Sequence, residues 1–425
     1  MDKKPDKPPC KLFGTVFIVC VIVLLFSMDR PSCERAPCDS QSRDIATGIT
    51  ESFPGSCTTF AASHGNTVLF GNNEDFNNPD TYLWVVEPGE GTYGGVYFGY
   101  SYGRPQGGIN EKGLAFDALA LPATRLNPHP ELPPKGSADT QFLGKIMNHS
   151  ATVEDAITFA QSFNWGSSIS FQVLLADAAG DAVIISAGPD GEMVFTWKPE
   201  GDGYLVGTNF NRANPENRFG ARPCWRYDKS VSMLAQIESE ADLDADYLGS
   251  ILDAVHVEGA EQNTLYSNVF DLRNGVIYLY YWHQYDVVVT LNVAEQIGAG
   301  LTLTNISDLF SRETVSRAAE EYQRHVEQAA RDDWLNRNGK AVIAGGGVTI
   351  LGLFGIVVYI LRRRKNMSKN DNEGSPMRIT CKGLCLAIGL LFGGIVGLLI
   401  GNPIIFAGGG LVLGLGIGSA LDNRR

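Results

Sequence analysis

Gly55-Ser56-Cys57-Thr58-Thr59-Phe60, followed by Gly65-Asn66-Thr67-Val68-Leu69-Phe70-Gly71-Asn72-Asn73-Glu74-Asp75-Phe76, is the stretch from which the 425-residue chain is read. A Cys-Thr pair opens one β-rich run, and a second run bounded by Gly and Asn ends on an acid. Working outward, Phe171 to Asp177, Asp181 to Ser186, Tyr204 to Gly207, Gly275 to Tyr281 and Val287 to Leu291 read as further strands. Two amphipathic helical stretches lie among them, Gln141 to Phe163, opened by Thr140, and Tyr227 to Ile237. Strands in runs, with helices between the runs, predict an α+β layered architecture rather than a βαβ alternation. Ser307 to Asn338 has a helical charge pattern with Ser307 as its N-cap, and reads as a stalk.

The flanks have a different composition. Leu12 to Met28 carries no charge and follows Lys3, Lys4, Lys7 and Lys11, which reads as a first membrane span with its basic side in the cytoplasm. Phe26-Ser27-Met28-Asp29-Arg30-Pro31 lacks the small-residue pattern of a cleaved secretory signal, so an uncleaved anchor is favoured. Ala341 to Leu361 is stopped by Arg362, Arg363, Arg364 and Lys365, and this orients the preceding domain outward. Gly383 to Leu421, interrupted by Asn402-Pro403, reads as a hairpin of two spans, with Gly389, Gly393 and Gly397 allowing close helix packing. The expected layout is tail and first span over 1–28, linker or propeptide over 29–56, external domain over 57–305 and stalk over 306–340. A span over 341–361, a basic loop over 362–382 and the hairpin over 383–421 complete it. No ionisable residue sits inside a span, which argues against transport.

Charge excludes another class. Residues 28–338 hold 42 of the 47 acids but only 20 of the 34 Lys and Arg, so this domain will not seek nucleic acid. The six histidines are scattered and none lies at a metal-ligand spacing; phosphate-binding glycine loops are absent too. Neither a metal nor another cofactor is expected. Cys33 and Cys38 are close enough in sequence to close a small external disulfide. Cys57 and Cys224 remain in the globular domain, and a bridge between them competes with a free, reactive Cys57.

Cys57-Thr58 at a strand start, with a second strand ending in Gly71-Asn72-Asn73-Glu74-Asp75, resembles the N-terminal-nucleophile hydrolases. More narrowly it is similar to the linear amide C–N hydrolases, which include choloylglycine (bile salt) hydrolase and penicillin V acylase. Asn110-Glu111-Lys112-Gly113-Leu114, Asp177-Ala178-Ala179-Gly180, Gly207-Thr208-Asn209 and Trp225-Arg226-Tyr227 follow in the family's order. The resemblance covers about residues 57–293. It implies a four-layer αββα sandwich, here with transmembrane helices at both ends.

The resemblance also implies roles. Autocleavage between Ser56 and Cys57 would free an α-amine with an ordinary pKa of about 7.7–8.0, able to take the thiol proton and later protonate the leaving amine. Asp75 would orient the amine or thiol of Cys57. The Asn209 amide and a backbone N–H near Ala120 would bind the oxyanion, and Arg226 would order the acids. The same side chains have plain readings: a turn acid at Asp75, a strand-end cap at Asn209, a surface ion pair of Arg226 with Asp228. Two departures stand out, Asn72 where bile salt hydrolases have Arg, and Ala120 where some relatives have Asn.

The expected function is a membrane-anchored, extracytoplasmic amidase acting on linear amides of N-acyl compounds. N-acyl amino acids, N-acyl homoserine lactones and penicillin-type amides are the candidate substrates. Tyr82, Trp84, Tyr97, Phe98, Tyr100 and Tyr102 are candidates for an acyl pocket, with core packing as the rival reading. The alternatives are an acyltransferase or dipeptidase of the same class, or a non-catalytic surface protein on a decayed hydrolase fold. Expected partners are a small-molecule N-acyl amide and the lipid bilayer, without nucleic acid; homo-oligomerisation is left open.

Overall fold

Successive side chains of a strand point to opposite faces, so a strand that is apolar on both faces must be covered on both. β1 (Thr58–His64) is such a strand: Phe60 and Ala62 enter one core while Ala61 enters another. β2 (Thr67–Phe76) repeats the pattern, with Leu69 on the first face and Val68 and Phe70 on the second. The computed structural model describes residues 57–334 apart from 137–138, 215–223, 260–261 and 301–302, together with 336–337, 389, 393 and 412.

Two antiparallel sheets result. The first adds β10 (Tyr204–Gly207), β11 (Asn263–Asp271), β12 (Val276–Tyr281) and β13 (Val288–Asn292), in the order β10-β1-β2-β11-β12-β13. The second comprises β3 (Tyr82–Val86), β4 (Gly95–Gly99), β5 (Gly107–Asn110), β6 (Ala115–Arg125), β7 (Ser168–Ala176), β8 (Ala182–Ala187), β9 (Met193–Trp197) and β14 (Leu303–Asn305). Its order is β14-β3-β4-β5-β6-β7-β8-β9. Phe70, Leu265, Phe270 and Leu279 of the first sheet meet Val85, Phe98, Ile109 and Ile184 of the second in a shared core.

Each sheet is covered on its other face by helices. α1 (Asp139–His149) and α2 (Val153–Gln161) lay Phe142, Ile146, Met147 and Ala156 on Phe116, Val173 and Ile185. α3 (Trp225–Leu234) and α4 (Ala245–Ala254) lay Leu234, Leu248 and Ile251 on Phe60, Leu69 and Val269. The layers therefore run helix, sheet, sheet, helix, the αββα order implied by the sequence resemblance.

Several expected boundaries change. The stretch from Gln141 to Phe163 is two helices, because Thr152 leaves the helix and forms a capping box with Asp155. α4 was missed: its approach, Glu238-Ser239-Glu240-Ala241-Asp242-Leu243-Asp244, looks like a solvated acidic run until Asp244 is seen capping Tyr247 N–H. α5 (Val293–Gly298) follows β13 and buries Val293 in the core between the two sheets. Ser307 is not a helix N-cap; it lies in a short 3-10 turn bound to Asn305, and Ser311 accepts the Thr314 N–H at the start of a helix over 312–334. Residues 306–322 do not leave the domain as a stalk, since Ile306 and Ala318 are buried in the inter-sheet core and Phe310 and Tyr322 pack against it. The first compact unit ends at Tyr322, and a second begins at Gln323.

Two of the sequence motifs serve the scaffold. Asn110 accepts the N–H groups of Lys112 and Leu114 and donates to the Met147 and Ser150 carbonyls, tying the β5–β6 turn to the break between α1 and α2. Gly113 in that turn has φ +78°, and a Cβ there would stand 2.1 Å from the Leu272 carbonyl oxygen. Asp177 holds its own hairpin through Ala179 N–H and caps α2 by accepting from Val153 N–H.

Among the described residues no helix is long and apolar enough to cross a membrane. The stretches 12–28, 341–361 and 383–421, expected to span, lie outside the described residues but for positions 389, 393 and 412. So do Ser56, Cys33 and Cys38.

Candidate active site

Register alone assembles the site. β1 runs between β10 and β2, pairing Thr58 with Asn73 and Thr59 with Gly207, so the head of β1 lies beside the end of β2 and the exit of β10. Cys57 precedes β1 and is 5% exposed. Its sulfur lies 3.6 Å from Glu74 Oε2 and 4.0 Å from the Asp75 carbonyl oxygen. It is a free cysteine, whereas Cys224 is disulfide-bonded, so the alternative Cys57–Cys224 bridge is excluded.

Arg226 enters from the first turn of α3 and is fully buried. Nη1 donates to the Cys57 carbonyl at 2.7 Å and to Thr58 Oγ1 at 2.9 Å, and it lies 3.8 Å from Asp75 Oδ2. Nη2 donates to Asn209 Oδ1 at 3.0 Å. The planar fork of a guanidinium can span these partners, which a lysine ammonium could not do from one position. A surface pair with Asp228 does not describe this residue.

Asn209, so oriented, donates through Nδ2 to the Ala120 carbonyl at 2.9 Å. A primary amide has two N–H donors, which leaves a second for another acceptor. Sequence reasoning assigned Ala120 through its N–H; the contact seen is through its carbonyl, at the point where the β6–β7 register shifts between Ala120 and Thr124. Gln172 holds the Asn209 segment by donating to the Thr208 and Phe210 carbonyls and accepting from Arg212 N–H. The Asp75 carboxylate accepts from Thr264 Oγ1 at 2.5 Å, and the Asp75 backbone carbonyl lies 4.0 Å from the Cys57 sulfur.

The surroundings are acidic. Burial, followed by the charges of Glu74, Asp75 and Asp117, pushes the Cys57 thiol well above its ordinary range. Burial raises Glu74 as well; Asp117 is raised by burial and then by the Glu74 charge. Tyr100 donates to Glu74 Oε2 at 3.1 Å, and Asn72 Nδ2 lies 3.5 Å from Glu74 Oε1. Where bile salt hydrolases place an arginine, this chain has a neutral amide facing an acid.

Glu74, Asp117 and Thr264 were missed from sequence. Asp117 carried a signal, being one acid inside the apolar run Leu114-Ala115-Phe116-Asp117-Ala118-Leu119. Thr264 carried none, because only the β2–β11 pairing brings it to Asp75. Of the six aromatics offered as an acyl pocket, Trp84, Tyr97 and Phe98 are core and Tyr102 is 53% exposed. Tyr100 alone among them bonds a side chain next to Cys57. The histidines read as scattered are not all apart: the rings of His256 and His283 lie 4.9 Å from each other.

The family model described as acyl-coenzyme A:6-aminopenicillanic acid acyl-transferase matches residues 62–284, more than half of the chain. The curated proteins include no significant match. Among solved structures, penicillin V acylase from Agrobacterium tumefaciens is 20% identical, covering 53% of this chain and 83% of that one at a TM-score of 0.42. A mutant conjugated bile acid hydrolase from Clostridium perfringens is 14% identical, over 58% of this chain and 96% of that one, at a TM-score of 0.45. A second variant of that hydrolase is 15% identical, with 60% and 98% covered and a TM-score of 0.47.

Proposed function

The chain belongs to the acyl-coenzyme A:6-aminopenicillanic acid acyl-transferase family, among the N-terminal-nucleophile relatives of penicillin V acylase and bile acid hydrolase, and from that premise we propose that it hydrolyses linear amides of N-acyl compounds with Cys57 as nucleophile. One observation carries the reading: a free thiol at the head of β1 stands within one hydrogen-bonded group containing Arg226, Asn209, Asp75 and Glu74.

In this proposal hydrolysis of the Ser56–Cys57 bond frees the Cys57 α-amine. The amine takes the thiol proton as sulfur attacks the acyl carbon. The oxygen of the tetrahedral adduct accepts from the second Asn209 N–H and from a backbone N–H at the Ala120 register shift; each such donor contributes about 2.7–4 kcal/mol to the transition state. The amine then protonates the leaving amine, the C–N bond breaks, and a thioester remains. Water attacks the thioester, releasing the carboxylic acid and restoring the thiol. Arg226 keeps the Cys57 carbonyl and Asn209 in fixed relation throughout. The new ammonium would emerge beside Glu74 and Asp117, which supplies the counter-charge that a buried cation needs.

The family's name favours a second reading, in which an amine rather than water takes the acyl group from the thioester. Adding a primary amine separates the two, since transfer yields a new amide and hydrolysis only the acid. Placement outside the cell, held by spans over 341–361 and 383–421, is part of the proposal and rests on the charge-free runs and their basic flanks.

The test is a thiol-directed acyl probe on the purified full chain, with N-terminal sequencing. The expected result is a mature chain beginning at Cys57 that is labelled, with labelling lost in Cys57→Ala. An intact Ser56–Cys57 bond in folded protein, or labelling that persists in Cys57→Ala, overturns the proposal.

A further inference from the structure

His256, Glu258 and His283 offer ligand atoms that all lie within 4.8 Å of one another. The first two follow the end of α4, and His283 follows the end of β12. The two imidazoles stack at 4.9 Å with a 13° interplanar angle. A second carboxylate closes in from the helix over 312–334, Glu321 Oε1 lying 3.5 Å from His283 Nε2. The His283 and Glu321 side chains are 7% and 19% exposed, and the His256 side chain 20%.

The outer contacts of His256 carry the argument further. Its Nδ1 lies 2.5 Å from the Asp253 carbonyl oxygen, an acceptor only, so Nδ1 bears a proton and donates it. Nε2, 2.9 Å from Glu258 Oε1, therefore faces the carboxylate with either a second proton or a lone pair. A lone pair there points at the carboxylate, and nitrogen and oxygen are then placed to ligate one cation together. A histidine whose far N–H is fixed by a backbone carbonyl is the usual outer arrangement of a metal-bound imidazole.

We propose that His256, Glu258 and His283, joined by Glu321, bind a first-row divalent cation, with Zn2+ the best match to two imidazoles and two carboxylates. The site lies apart from Cys57 but connects to it. Val257, between two of the ligands, donates its N–H to Thr264 Oγ1 at 2.9 Å and accepts from Thr264 N–H at 2.9 Å. Thr264 Oγ1 in turn donates to Asp75. A bound cation thus fixes the 256–258 segment and, through it, the residue that positions Asp75. The proposal does not depend on the amidase reading.

The full chain in detergent, stripped with EDTA and titrated with ZnCl2, is expected to bind about one equivalent and to gain thermal stability on binding. Co2+ in its place should give the visible absorption of a four-coordinate site. His256→Gln and Glu258→Gln should each weaken zinc binding by at least ~10-fold, with stripped proteins melting at the same temperature as stripped wild type. Substoichiometric binding by the wild type, or unchanged affinity in both variants, overturns the proposal. Should a variant fail to fold, zinc-edge X-ray absorption of the wild type decides: a first shell without imidazole scattering also overturns it.

Discussion

Arg226 joins the carbonyl of the residue proposed as nucleophile to the amide proposed for the oxyanion, and it does so from a position with no access to water. Its loss would remove the guanidinium that lies 3.8 Å from the buried Asp75 carboxylate. Arg226→Met should therefore cost about 3–5 kcal/mol of stability, read as a fall in melting temperature. Asn209→Ala should instead lower kcat by about 10²–10³ with little change in KM, since its free N–H acts on charge that develops only during reaction. The thiol offers a third check. In the uncut chain burial, and after it the neighbouring carboxylates, hold Cys57 above its ordinary pKa, so the thiolate is scarce until the pH is high. Asp117→Asn puts a side chain that cannot ionise in place of one of those acids, and the pH profile of Cys57 alkylation should move to lower pH. Cys57, Asp75, Asn209 and Arg226, which the fold brings together, could be singled out because each sits inside a short motif. Glu74 stood in the same motif but looked like turn polarity, and Thr264 could not be found without the pairing of strands 189 residues apart.

At the scale of elements the readable signals were local ones. Strands bounded by Gly and Asn appeared where expected, at Tyr204–Gly207 to the residue. The long helical stretch failed at Thr152, where an apolar period continues across a break that only a capping box marks. Thr152→Ala should remove about 1 kcal/mol from α2 and lower the melting temperature without touching Cys57 chemistry. A large effect on acyl-probe labelling at a permissive temperature would contradict that separation. The β3–β4–β5 region was missed for a different reason: its aromatic residues were read for ligand binding, whereas Trp84, Tyr97 and Phe98 fill cores on the two faces of the second sheet.

Over the whole molecule, layer order followed from the sequence resemblance, but the acid content of the interior did not. Glu74 and Asp117 have pKa values raised by burial, so the folded chain keeps protons that the unfolded chain releases above about pH 4. Their contribution to stability is therefore largest in acid and declines as the pH rises toward the folded-state values. Melting temperature should rise on going from pH 7.5 to pH 5.5, and Asp117→Asn should flatten the rise; an equal slope in the variant would show that surface acids account for it. Equally general is where the reacting groups are mounted. Cys57, Glu74, Asp117, Asn209 and Thr264 come from β-strands or their immediate ends, and Arg226 from a helix docked on them. Nothing in that set can soften while the sheets remain joined, so turnover on warming should disappear in the same transition as the near-ultraviolet dichroism, leaving no warm, folded and inactive species to be trapped.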